Sequence, residues 1–153
     1  MKNRILMNGK IYATALLFLL VLLGGCEKAP INSNIEGMWK LEEFTTLEDN
    51  KVHPCERIYY SIQLWVVDIA EKQGTHGYKP SIGRFCYGED GNTVIMKDFY
   101  YRQGTTDSKE STTVEDLQPY GINAQETIFE IVESDKHNLT LRSDYAILRF
   151  SKF

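Results

Sequence analysis

The chain has 153 residues, 42% hydrophobic, 25% charged and 12% aromatic, with a formal net charge of −4. That is enough for one domain with a real core, too little for two typical domains, and too apolar for wholesale disorder. The acidic balance argues against nucleic acid as a partner, since phosphates need a basic face.

Residues 1–25 read as a signal peptide. Lys2, Arg4 and Lys10 make a basic start with no acidic residue, and an apolar run follows from Ile11 to Leu23. At about 1.5 Å per helical residue, that run is short for a bilayer core of about 30 Å. Leu23-Gly24-Gly25-Cys26 closes it and resembles a bacterial lipobox. The resemblance implies diacylglycerol on the Cys26 thiol, cleavage after Gly25 and acylation of the new amino group. Several acyl chains on one residue hold durably where a single chain is marginal. Cleavage removes three basic residues and no acidic one, leaving 14 basic against 21 acidic residues, a net −7. Residues 26–35 then form the lipidated cysteine and a polar tether. The expected location is the cell envelope, anchored in the outer membrane with the domain on its periplasmic face or at the cell surface.

From residue 36 to 153 apolar residues recur at every second position, the period of strands. The first strand is expected at Gly37–Thr46 and the next at Arg57–Asp68, with Ile58, Tyr60 and Ile62 on one face and Tyr59 and Trp65 on the other. Ser81–Tyr87 and Thr93–Arg102 read as a hairpin across Gly88-Glu89-Asp90-Gly91. Thr112 with Glu115 resembles a capping box, predicting a short helix over Thr113–Gln118 that Pro119 and Gly121 stop. If that segment is not helical, Lys109–Thr113 offers a further strand. Thr127–Val132, Asn138–Arg142 and Tyr145–Lys152 complete the set. This pattern predicts an all-β fold, an antiparallel barrel or sandwich of seven or eight strands with one short helix before the last three.

Cys55 and Cys86 are an even number beyond Cys26 in an oxidising compartment, so a disulfide between them is one reading and two buried thiols the other. If the strands carrying them paired antiparallel, both cysteines would lie at one end of the sheet. A metal site on His53 and Cys55 would need ligands from elsewhere, and His76 and His137 stand isolated in the sequence. No metal and no cofactor are expected.

Gly37-Met38-Trp39 at the start of the first strand matches the Gly-x-Trp opening of lipocalin-like proteins, and Leu148-Arg149-Phe150 supplies an arginine near the C-terminus. The chain resembles the lipocalin-like lipoproteins of Bacteroidetes through these residues, Arg84-Phe85, Asp116-Leu117 and Tyr120-Gly121-Ile122. The resemblance implies an up-and-down barrel in which Arg149 packs across Trp39 where first and last strands meet, with Gly37 allowing the close approach.

Signatures of catalysis are missing: no phosphate loop, no paired zinc histidines on a helix and no serine nucleophile elbow. Glu42 and Glu43, adjacent on a strand, are expected on opposite faces and so cannot share one site. An enzyme is not expected. Tyr59, Trp65, Phe85, Tyr87, Phe99 and Tyr101 fall on strands expected to be neighbours. Facing into an unfilled barrel, they would line a cup for a small, mostly apolar ligand; otherwise they fill the barrel or cover its outside. The alternative function is an interaction or inhibitor lipoprotein with a solid barrel and an envelope protein as partner. A cavity of several hundred cubic ångströms separates the two.

Overall fold

The computed structural model describes residues 35–103 and 106–153, with the backbone alone for 106–109. The signal segment, Cys26 and the tether to residue 34 lie outside the described residues. Alternation builds nine strands: β1 (Gly37–Thr46), β2 (Val52–Gln63), β3 (Val66–Glu71), β4 (Ser81–Tyr87), β5 (Thr93–Gln103), β6 (Thr106–Ser111), β7 (Glu126–Ser134), β8 (Asn138–Arg142) and β9 (Ala146–Lys152). Between β6 and β7 lies the four-residue helix α1 (Val114–Leu117), continued by a 3₁₀ turn over Gln118–Tyr120. Every pairing is antiparallel, and eight strands close in the order β1-β2-β3-β4-β5-β7-β8-β9 and back to β1. β6 extends the far half of β5, with Arg102 opposite Asp107. Closure removes the open edges that would otherwise template aggregation.

Inward positions are filled with bulk. Trp39, Tyr60, Met96, Phe99 and Phe129 are all at most 1% exposed, and Leu41, Ile62, Ile69 and Leu148 pack among them. Bulges decide which residues join them. In β1 the register slips between Leu41 and Glu43, so the inward series runs Trp39, Leu41 and then Phe44. The extra residue leaves Glu42 and Glu43 both on the outer wall, against the expectation of opposite faces: Glu42 binds Lys40 and Ser151, and Glu43 binds Arg149. In β5 a similar slip, with Asp98 at φ 55°, turns Phe99 inward. Opposite it, a Cβ on Gly83 would stand 2.7 Å from the Phe99 ring, so glycine there makes the room.

The expected strand Arg57–Asp68 is in fact parts of two strands, joined by a tight turn at Leu64-Trp65. No Gly, Asn or Asp marks this turn, and Leu64 itself takes φ 55°, a conformation that non-glycine residues rarely adopt. Elsewhere the boundaries agree closely with expectation. The helix starts one residue later than predicted, with Thr113 as its cap accepting from the Asp116 N–H, and Gly121 ends the 3₁₀ turn at φ 79°. The helix is present and so is a further strand, at Thr106–Ser111 instead of Lys109–Thr113, so the two are not alternatives.

The barrel has two distinct ends. At the closed end lie Ile35 and Glu36, the Leu64-Trp65 turn, the β4–β5 and β7–β8 turns, and Phe153, whose N–H donates to the Met38 carbonyl. At the mouth lie the β1–β2 and β8–β9 turns, tied by Leu47 N–H to the Tyr145 carbonyl, the β3–β4 loop, and the segment containing α1.

First and last strands are neighbours, but the closing pair differs from the expected one. Leu148 and Phe150 point inward, so Arg149 between them must point outward, where it bonds Glu43 at 2.9 Å. Lys152 takes the expected place: its Nζ stands 4.1 Å from the centre of the Trp39 ring and donates to the Glu36 carbonyl at 2.9 Å. The Trp39 indole N–H donates to the Ile35 carbonyl at 2.8 Å. Gly37 suits the strand entrance through its φ of 128°, while a Cβ there would meet only the flexible end of the Lys152 side chain. Arg149→Ala should therefore shift stability by no more than about 0.5 kcal/mol, as for other exposed ion pairs. Lys152→Ala should cost on the order of 1 kcal/mol. Urea denaturation of the two variants checks the order, and a larger loss for Arg149→Ala would contradict it.

Candidate functional site

The barrel mouth is closed by the chain's own segment from Thr112 to Ile122. Leu117, Tyr120 and Ile122 are fully buried there. The Tyr120 hydroxyl donates to the Lys79 carbonyl at 3.0 Å, while the Tyr120 carbonyl accepts from the Tyr60 hydroxyl at 2.5 Å. Burial pushes both phenols up, so neither is an acid–base group near neutrality. Asp116 clamps the segment from outside, accepting from the Tyr101 hydroxyl at 2.5 Å and from Lys79 at 2.9 Å. Those two bonds hold its carboxyl below the usual carboxylate range. Thr112 donates to Ser81 at 2.9 Å, and the Gln125 side chain donates to the Thr112 carbonyl.

Beside this plug lies a cleft of about 460 Å³. One wall is the start of β2, with His53, Cys55 and Ile58. The opposite wall is His76 and Tyr78 from the β3–β4 loop, and Gln118 and Pro119 of the plug close it off. Two stacked pairs give the walls flat faces: Phe44 on His53 at 4.6 Å, and His76 on Tyr78 at 4.9 Å. Glu71 holds the second pair in place. Its carboxylate accepts the backbone N–H groups of His76, Gly77 and Tyr78, and meets the His76 ring Nδ1 at 2.6 Å. Desolvation pushes this carboxyl up, but the hydrogen bonds outweigh it and the net direction is down. Cys55 is the opposite case, a thiol that burial pushes up to about 11 and whose S–H donates to the His53 carbonyl. A thiol with so raised a value is a poor nucleophile.

The aromatic cup is not assembled; the alternative holds, in which these residues fill the barrel or cover its outside. Phe85, Phe99 and Tyr101 are buried in the packed interior, and Tyr87 sits partly covered at the closed end, edge-on to Phe85. Tyr59 lies on the outer wall between Phe153 and Lys72, and Trp65 stands at the β2–β3 turn with 55% of its surface exposed. Strand parity is the reason: Ile58, Tyr60 and Ile62 face in, which sends Tyr59 out. Cys55 and Cys86 are unbonded, because β3 lies between β2 and β4. Both cysteine-bearing strands run from mouth to closed end, with Cys55 near the start of its strand and Cys86 near the end of its own. Among the described residues no group of three or more His, Cys, Asp or Glu side chains could hold a metal ion.

The cleft residues were missed because they come from four separate places in the chain. Their one sequence signal is the unusual His53-Pro54-Cys55 run, which reads as a candidate ligand set rather than a wall. Comparison with known proteins bears on the fold. The family model described as lipocalin-like domain matches residues 20–153. A crystal structure of a lipocalin-like protein from Bacteroides uniformis is similar, with a TM-score of 0.56 and 15% identity over 78% of this chain and 98% of that one. So is one of an uncharacterized protein from Bacteroides eggerthii, with a TM-score of 0.56 and 15% identity over 77% of this chain and 98% of that one. None of the curated proteins compared with the chain matches it.

Proposed function

The chain belongs to the lipocalin-like domain family, and from that membership we propose a lipid-anchored envelope protein that binds a small, mostly apolar molecule at the mouth of its barrel. The observation that carries this reading is the 460 Å³ cleft between the plug and the start of β2. Its volume lies within the range of small-molecule sites, about 300–1,000 Å³. Its stacked walls suit a planar, partly apolar molecule, and Lys51, Glu56 and Glu115 add charged groups to its lining. No catalytic group is invoked: the cleft's thiol is neutral, and the role is binding without chemistry.

Native mass spectrometry of the mature protein, purified from its own host, tests the reading by looking for a bound small molecule. Gln118 is exposed and lines the cleft, so Gln118→Trp fills it with little cost to folding. The variant should lose any co-purifying molecule, and retention of that molecule would place binding elsewhere. The packed interior favours a second reading, an accessory or inhibitor protein whose loops contact an envelope protein. Absence of any small molecule, together with a cross-linked protein at the mouth loops, would favour it.

Anchoring is supported by the basic start, the apolar run and the Leu23-Gly24-Gly25-Cys26 sequence. Cys26→Ala should abolish incorporation of radiolabelled palmitate and leave the precursor uncleaved. Equal labelling of both chains would refute it.

A further inference from the structure

The turn between β2 and β3 is built against the usual rules for a hairpin tip. Leu64, Trp65 and Val66 are consecutive, apolar, and 50%, 55% and 40% exposed. Ile128 and Val132, also exposed, are single residues in β7 and unexceptional. Two-residue hairpin turns favour Asn-Gly or Asp-Gly, whose backbones accept positive φ without penalty. Here a leucine takes φ 55° and a tryptophan follows it into solvent. Neither choice is explained by packing within the barrel.

Position supplies the explanation. The Leu64 N–H donates to the Glu36 carboxylate at 3.1 Å, and Gly37 pairs with Ile62, so the turn lies against the point where the chain enters β1. The Trp65 carbonyl accepts from the Phe85 N–H at 2.8 Å, which fixes the tip to β4 as well. Eight residues, 27–34, separate Cys26 from the first described residue, Ile35. Fully extended they reach about 30 Å at most, so a lipid on Cys26 holds this end of the barrel near the bilayer. Tryptophan is the side chain enriched at the headgroup level, having an apolar body and one N–H. Arg84, opposite Val66, pairs with Asp98 at 3.8 Å on the outer wall, its side chain 79% exposed.

We propose that Leu64, Trp65 and Val66 form a membrane-dipping tip that seats the closed end of the barrel on the bilayer to which Cys26 is anchored. The occupant of this apolar tip is the headgroup and upper acyl region of a lipid surface. The seating turns the mouth and its cleft, at the opposite end, toward the aqueous side. This rests on the lipid-anchored reading, and the experiment separates the two.

The chain has two tryptophans, Trp39 and Trp65, of which Trp39 is 1% exposed. The lipidated mature product is reconstituted in phosphatidylcholine vesicles containing brominated lipid, beside a Cys26→Ala chain made without residues 2–25, which lacks both the acceptor thiol and the apolar run. Flotation with the vesicles reports the anchor, and quenching of tryptophan emission reports the tip. The expected result is Cys26-dependent flotation with emission roughly halved, since one of two indoles is accessible to lipid, and no quenching in Trp65→Phe. A double variant, Leu64→Gly with Trp65→Ser, puts glycine at the turn position that takes positive φ, should fold at least as stably, and should float without quenching. Flotation with Trp65 unquenched and still open to acrylamide overturns the tip and leaves the anchor standing. Trp65 unquenched by lipid but shielded from acrylamide in host membranes also overturns it, in favour of a protein cover. Failure of the Cys26 chain to float overturns the anchor and the tip with it.

Discussion

Tyr120→Ala is expected to destabilise the domain by about 3–5 kcal/mol and to convert a filled barrel into a hollow one. The ring is fully buried in the mouth, edge-on to Tyr78 with 6.2 Å between ring centres, and its hydroxyl bond to Lys79 ties the plug to the β3–β4 loop. Truncation removes that packing and leaves a void that the neighbours cannot fully close. Gly121, at φ 79°, lets the chain pass close to Leu148 and Phe44: a Cβ there would stand 3.2 Å from each side chain. Apolar voids of this kind stay dry and admit small hydrocarbons. Benzene should therefore raise the melting temperature of Tyr120→Ala and leave the wild type unaffected. Tyr120→Phe keeps the ring and loses one hydrogen bond, so about 1 kcal/mol is expected, plus the cost of an unpaired Lys79 carbonyl. Urea denaturation measures all three chains. A loss below 1 kcal/mol for the alanine variant would mean that the Thr112–Ile122 segment does not plug the barrel in solution.

At the other end, Trp39→Ala should also cost about 3–5 kcal/mol. Three contacts converge on this side chain: burial at 1% exposure, the indole bond to the Ile35 carbonyl, and Lys152 over the ring. Trp39→Phe retains an aromatic face for Lys152 but leaves the Ile35 carbonyl without its donor, so an intermediate loss is expected. Combining Trp39→Leu, which removes the ring, with Lys152→Ala should show a coupling between the two sites, because Lys152 lies over that ring. The same cycle with Arg149→Ala should show none, since Arg149 lies on the outer wall against Glu43. Circular dichroism in urea reads each variant. Coupling of Trp39 to Arg149 but not to Lys152 would reverse the assignment made here.

The mouth and the closed end thus perform different tasks within one barrel. At the closed end the chain spends aromatic bulk and a lysine on sealing the strands. At the mouth a short helix replaces the open cup expected of such barrels, and the accessible space moves sideways into the cleft beside His53 and Tyr78. The family assignment rests on the family model that matches residues 20–153, while the proposed binding role rests on the cleft.

What the sequence by itself determined was local. Alternation of apolar residues identified strands such as Gly37–Thr46, Ser81–Tyr87 and Asn138–Arg142, because a strand with one face in the core has to repeat every two residues. Thr112 with Glu115, Pro119 and Gly121 placed the short helix and its end to within a residue, although Thr113 rather than Thr112 is the cap, since capping and positive φ depend on the nearest few residues. Gly37 and Trp39 marked the closing strand. The tertiary structure decided everything that needed parity or neighbours. One extra residue in β1 brought Glu42 and Glu43 to the same face, and the inward pull of Leu148 and Phe150 sent Arg149 out and left Trp39 to Lys152. The Leu64-Trp65 turn was illegible because its residues do not favour it; pairing of β2 with β3 imposes it. Cys55 and Cys86 stay apart because β3 lies between their strands. The cleft arises where four segments distant in the chain meet, and no pattern within any one of them encodes the space between.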